Sequence, residues 1–267
     1  MESKEVRLVK HHLKHIRKAE LKLLRYRPDS NSFLDGAFIR KKVPKKLLSI
    51  LESAFEKSFL YIFNKGTGFI EKSGDLNGIK EKSAYHHAVI KGQISKESIK
   101  NFDVSASNSS WANKGISTVE GAALGVFGIG IPDIPLFMGV IFKSIYETAA
   151  SYGFHYTNDK ERVYILALIR VAATKGSARI LESEYCDKIG QLIDAGQGSS
   201  ITLTAEDIKL TSNLLASSML VAKFIQGITL VGALGGGFNY YWIHKITKIA
   251  RLKYKKRFLE NLGTPRR

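Results

Sequence analysis

"GVFGIGIPDIPLFMGV", Gly125 to Val140, lies in the most apolar run of a chain that is otherwise strongly basic. Its reading decides whether the chain spans a bilayer, dips into one or folds into a helical core. A helix from Gly121 to Ile131 rises only about 17 Å at 1.5 Å per residue, against roughly 30 Å of hydrocarbon. Ile131 and Ile134 each precede a proline, which drives them out of the helical region. "GIGIPDIP" therefore predicts a turn, with Asp133 as N-cap of a second helix that opens with Ile134 and Pro135. A straight span would carry Asp133 near its middle at about 2.5–3.5 kcal/mol, so a helical hairpin is expected instead. Its first arm ends near Phe127 and its second runs from about Leu136 to Gly153.

Glycines mark the packing faces of this hairpin. Gly121 and Gly125 form a GxxxG pair after Glu120, Gly128 and Gly130 lead into the turn, and Gly232 and Gly236 form a second pair in "VGALGGGFNYYW". Such glycines let two backbones approach closely. Two readings stand at this point: tight packing in a soluble core, or a hairpin that enters one leaflet.

The remaining chain is read outward from that run. With 267 residues, 44% of them hydrophobic, it can bury a sizeable core. Lys and Arg number 41 against 24 Asp and Glu, a formal net charge of +17, so its charged surface suits a polyanionic partner, lipid or nucleic acid. One cysteine, Cys186, excludes an internal disulfide framework and a multi-cysteine zinc site, and a reducing cytosol fits. "MESKEVRLVKHHLKHIRK" lacks the apolar core of a secretory signal, so export through a cleaved signal is not expected.

Val6, Val9, Leu13, Ile16 and Leu23 recur at helical steps with lysines and arginines between them, predicting a basic amphipathic arm over residues 1–27. After the break at "RPDSNSFLDG", a single domain is expected over 37–262. Pro44 suits the first turn of a helix carrying Leu47, Leu48, Leu51, Phe55 and Ile62. "NKGTGFIEKSGDLNG" reads as a loop, Ile79 to Lys91 as a short helix, and "SASNSS" as a polar separator. Asp159 is a helix-start candidate, and Thr204 with Asp207 resembles a capping box. No alternating strand pattern stands out, so the fold class is all-α: a multi-helix globular domain with a glycine-rich hairpin and basic amphipathic terminal helices.

Three clusters hold much of the charge. They contribute Lys10, Lys14, Arg17 and Lys18 from the arm; Arg40, Lys41, Lys42, Lys45 and Lys46 from "RKKVPKK"; and Lys253, Lys255, Lys256 and Arg257 from the tail. The tail sets Ile246, Ile249, Leu252 and Phe258 or Leu259 at helical spacing. A basic amphipathic helix beside an apolar glycine-rich segment suits an anionic membrane surface. These residues are the expected membrane or anion contacts. No zinc-finger, RNP or helix-turn-helix pattern is present, so nucleic acid remains a rival on charge alone.

Catalytic patterns are weak. GxxxxGK[ST], HExxH and GxSxG are absent. His86 and His87 project about 100° apart on a helix and make poor joint ligands. His11 and His15 share a face, but the surrounding cations repel a metal ion. Glu120 and Asp133 stand about 15 Å or more apart along the first arm. No catalytic residue, metal or cofactor is assigned.

From Glu120 to Ile169 the sequence resembles the EcsC family of bacterial proteins. The resemblance rests on Glu120 with Gly121, the glycine-rich arm, the triplet Asp133, Ile134 and Pro135, Tyr152 with Gly153, and the charged "NDKER" from Asn158. The glycine-rich "VGALGGGF" before the basic tail adds to it, and it covers roughly Ala54 to Leu259. Pro132 departs from the small residue common there in the family, which stiffens the turn. The family is named for a protein encoded beside the two parts of an ABC transporter, and the resemblance implies no catalytic residues. The expectation is a non-catalytic, peripheral membrane-associated accessory or adaptor protein at the inner face of the cell membrane, linked to transport or secretion machinery and to a protein partner there. A soluble nucleic-acid-binding protein and an enzyme with an inter-helix pocket, using Glu120, Asp133 or His155, stand as alternatives.

Overall fold

Helices buried on nearly every side organise the molecule. A computed structural model describes residues 3–24, 45–72, 75–108, 133–225 and 236–263, and among them the chain forms ten α-helices and no strand. They are α1 (Lys4–Leu24), α2 (Lys45–Tyr61), α3 (Thr67–Lys72), α4 (Leu76–Gly92), α5 (Lys96–Asn108), α6 (Asp133–Ser151), α7 (Asp159–Ala173), α8 (Gly176–Asp194), α9 (Ala205–Ile225) and α10 (Gly236–Gly263). Every residue of α7 from Val163 to Ala173 is buried. A helix apolar all round must be surrounded, and α8, α9 and α10 enclose it.

The second arm of the expected hairpin is α6, which opens at Asp133 with Pro135 in its first turn. Ile134, Phe137, Met138, Ile141, Phe142 and Ile145 are buried on it. Phe55, Phe59 and Phe63 meet Phe137 and Phe142 edge-on, which locks α2 to α6. The arm is thus a core element, and its leaflet-entering reading is corrected for residues 134–142, because those side chains are already packed. Among the described residues no helix is long and apolar enough to cross a membrane. Glu120, Gly121, Gly125, Gly128, Gly130 and Gly232 lie outside the described residues, as do Pro44 and the break after Pro28. Gly236 opens α10.

Two corrections concern local structure. "NKGTGFIEKSGDLNG" is not an irregular loop: α2 passes through a wide π turn, Ile62–Gly66, directly into α3. Gly66 fits there because a Cβ would press the Tyr61 ring at 3.3 Å. The separator "SASNSS" is helical through Asn108, the end of α5. The capping box is present: Asp207 N–H donates to Thr204 Oγ1 at 3.1 Å and Thr204 N–H donates to Asp207 Oδ2 at 3.2 Å. At α7 the cap is Asn158, one residue before the expected Asp159, accepting from Glu161 N–H at 2.9 Å.

The largest correction is the arm. Residues 4–24 pack along α10, with Val9 and Ile16 in the hydrophobic core and Glu20 only 7% exposed. The body therefore includes α1, because its apolar stripe has a partner helix to cover it.

Candidate functional site

The basic residues divide into two populations. On α1, Val9, Ile16 and Glu20 face inward, while Lys4, Arg7, Lys10, Lys14, Arg17, Lys18 and Lys22 stand exposed on the other side. Leu21, 66% exposed, sits among them. Helical spacing of 100° per residue places Arg7, Lys14 and Lys18 along one outward stripe. Lys45 and Lys46 are exposed in the first turn of α2, and Arg40, Lys41 and Lys42 lie outside the described residues.

The tail cations are the other population, and their expected role as anion contacts is corrected. Ile246, Ile249, Phe258 and Leu259 are buried as the spacing predicts, but Lys253 and Arg257, at 2% and 3% exposed, share that buried face. Lys253 Nζ donates to Glu20, to Asp187 Oδ1 at 2.7 Å and to Ser183 Oγ at 2.7 Å. Lys256 bridges the same carboxylates, at 3.0 Å to Glu20 and 2.6 Å to Asp187. Arg257 binds Glu161 through both terminal nitrogens at 3.0 and 2.8 Å, and Asp194 at 3.0 and 2.6 Å. Its guanidinium lies 4.3 Å from the Phe154 ring and 4.2 Å from that of Tyr164. Gly190 leaves the room for it, since a Cβ there would come within 2.9 Å of Arg257 Cδ. Burial opposes the charge on Arg257, but the hydrogen bonds it donates to Asp194 and Glu161 outweigh it and hold the guanidinium protonated. Lys253, Lys256 and Arg257 thus meet Glu20, Asp187, Glu161 and Asp194, three cations against four carboxylates, and the group adds no positive field. Lys255, half-buried, pairs with Asp103 at 2.7 Å.

A cleft of about 470 Å³ opens where α3, α4 and the end of α6 meet. Tyr156 Oη donates to Glu71 at 2.7 Å, and Lys80 stands 3.7 Å from the same carboxylate. His87 Nε2 lies 3.1 Å from the Tyr152 carbonyl. Gly153 ends α6 at φ +76°, and a Cβ on it would run into His87 Nε2, so the Tyr152–Gly153 pair has both a conformational and a steric reason. His155 lines this cleft, whereas Asp133 lies at the opposite end of α6, so the fold does not bring these two candidates of the enzyme alternative together. His11 and His15 touch at 3.1 Å on α1, and among the described residues no group of three or more His, Cys, Asp and Glu is placed to hold a metal. Cys186 is fully buried, and burial pushes its thiol up to about 12, so it is no nucleophile.

Sequence reasoning missed one basic cluster. Lys175, Arg179 and Lys245 come together where the end of α1, the start of α8 and the first turns of α10 meet. Lys245 Nζ lies 4.6 Å from the Trp242 ring and 5.8 Å from that of Tyr241. The only signal in the sequence was the aromatic-to-lysine step of three residues in "YYWIHK".

The model of the EcsC protein family matches residues 10–259, so the chain belongs to that family. The match begins within α1 and extends well before the Ala54 boundary expected from sequence. No curated protein and no solved structure matches the chain.

Proposed function

We propose that this member of the EcsC family is a peripheral membrane-associated accessory protein, non-catalytic, which docks on anionic lipid at the inner face of the cell membrane beside transport or secretion machinery. The observation that carries the reading is the one-sided display on α1: its apolar face is fixed against α10 and its cations point outward around Leu21. A rigid basic stripe can meet a planar charged surface without first being ordered, so little conformational entropy opposes docking. Each Lys or Arg near an anionic leaflet contributes about 1 kcal/mol. The stripe from Arg7 to Lys22 thereby supplies enough attraction for reversible binding, with the exposed Leu21 as a shallow apolar contact. The tail cations take no part because carboxylates already neutralise them.

Co-sedimentation with phosphatidylglycerol-containing and with neutral phosphatidylcholine vesicles tests this reading. Binding to the anionic vesicles alone, weakening as salt shortens the screening length below about 8 Å, is the expected result. Equal binding to both vesicles, or to neither, would overturn it. A duplex DNA gel shift without vesicle binding would transfer the basic stripe to nucleic acid.

A further inference from the structure

Among the described residues the trio of exposed Lys175 and half-buried Arg179 and Lys245 has no carboxylate partner. Lys253, Lys256, Arg257 and Arg170 each have an acidic partner. Arg179 is instead oriented by backbone: Nε donates to the Thr174 carbonyl at 2.7 Å and Nη1 to the Leu23 carbonyl at 3.3 Å. Its Nη2 donates to nothing among the described residues, and the other two bonds fix its plane. Lys245 is half-buried over Trp242, whose indole N–H is itself buried without an acceptor among the described residues. Three positive charges held near one another repel. Burial first, then Arg179 and Lys175, lower the Lys245 ammonium to about 7.

The surroundings suit an anion. α8 opens at Gly176 beside this trio, and Lys175 at its N-cap position offers no side-chain acceptor to the first-turn amides. A helix start of this kind attracts negative charge, and a planar guanidinium with an ammonium on another side complements a tetrahedral oxyanion. Ile180, Leu181, Tyr240 and Tyr241 are exposed on the elements that carry the trio. Tyrosines and aliphatic side chains around lysines are the composition of a membrane–water interface.

We infer that Lys175, Arg179 and Lys245 form a phosphate-binding site, occupied at a membrane by the phosphate of an anionic lipid headgroup. The inference rests on the membrane reading above only for the source of that phosphate.

The full chain, carrying Trp111→Phe so that Trp242 is the remaining indole, is titrated with inorganic phosphate at constant ionic strength and separately with phosphatidate vesicles. A saturable change in Trp242 emission is expected. Lys245→Met, which keeps the stem over the indole, should weaken it about tenfold or more, and the exposed Lys175→Gln about threefold or more. Both variants should keep the parent's melting temperature within about 3 °C. The lipid assignment predicts that vesicles saturate the signal and that millimolar inorganic phosphate does not displace them. Saturation by inorganic phosphate with no response to vesicles would keep the site and overturn the lipid assignment. No response to either ligand, or a response that both variants retain, would overturn the site. Loss of vesicle co-sedimentation with an intact phosphate response would remove the membrane reading and leave the site standing.

Discussion

On α1, Arg7, Lys14 and Lys18 stand in solvent, whereas on α10 Lys253 and Arg257 turn into the core, although both helices set basic residues between apolar ones at the same steps. The difference lies in what faces each stripe. α10 crosses α8, α7 and α1, and these bring Asp187, Asp194, Glu161 and Glu20 to its inner side. Among the described residues the outer side of α1 meets no such set. A lysine or arginine placed against carboxylates becomes structural, and one left facing water remains available to a partner. Counting charge along the chain therefore overstates the field the folded protein presents.

The comparison breaks most sharply at Arg257. Arg257→Met should lower stability by about 3–5 kcal/mol in urea denaturation, because Glu161 and Asp194 are left buried without a cation. A loss within measurement error would mean that α10's cations are not structural. At Glu20, burial pushes the carboxyl pKa up, but Lys253 and Lys256 outweigh it and hold the value below the usual carboxylate range. A lowered folded pKa gives stability that is complete above the unfolded value, near about pH 4.3, and is lost as pH falls through the folded one. Glu20→Gln should cost about 2 kcal/mol at neutral pH, as the loss of hydrogen bonds to charged groups. The gap from the wild type should shrink below about pH 4; melting curves at pH 7 and pH 3 read both effects. The smallest change in stability is expected on the other helix. Arg7→Gln, Lys14→Gln and Lys18→Gln together should alter stability by no more than about 0.5 kcal/mol each, yet reduce affinity for anionic vesicles about a hundredfold at low salt.

Much of the helical frame was legible because its signals are local. The reciprocal bonds of Thr204 and Asp207 are three residues apart, and Ile134 and Pro135 announce the start of α6 within one turn. The glycines of "NKGTGF" misled because glycine also serves where a helix passes close to a ring, as Gly66 does at Tyr61. What α10 does was not legible. Lys253 and Glu20 lie 233 residues apart, and no spacing rule reaches across that distance. Nor did the apolar stripe of α1 reveal whether a helix or a bilayer would cover it, since Val9 and Ile16 satisfy either solvent. The Lys245 cluster was hidden for the same reason, its members coming from α10 and from the start of α8.

Lysine footprinting tests the central contrast most directly. The full chain is acetylated briefly at amines, with and without phosphatidylglycerol-containing vesicles, and the modified lysines are read by peptide mass spectrometry. The account predicts rapid acetylation of Lys14, Lys18 and Lys22 in the free protein, protection of these by vesicles, and slow acetylation of Lys253 and Lys256 in both states. Lys253 reacting as fast as Lys14 in the free protein, or vesicles protecting the α10 lysines and not those of α1, would contradict it.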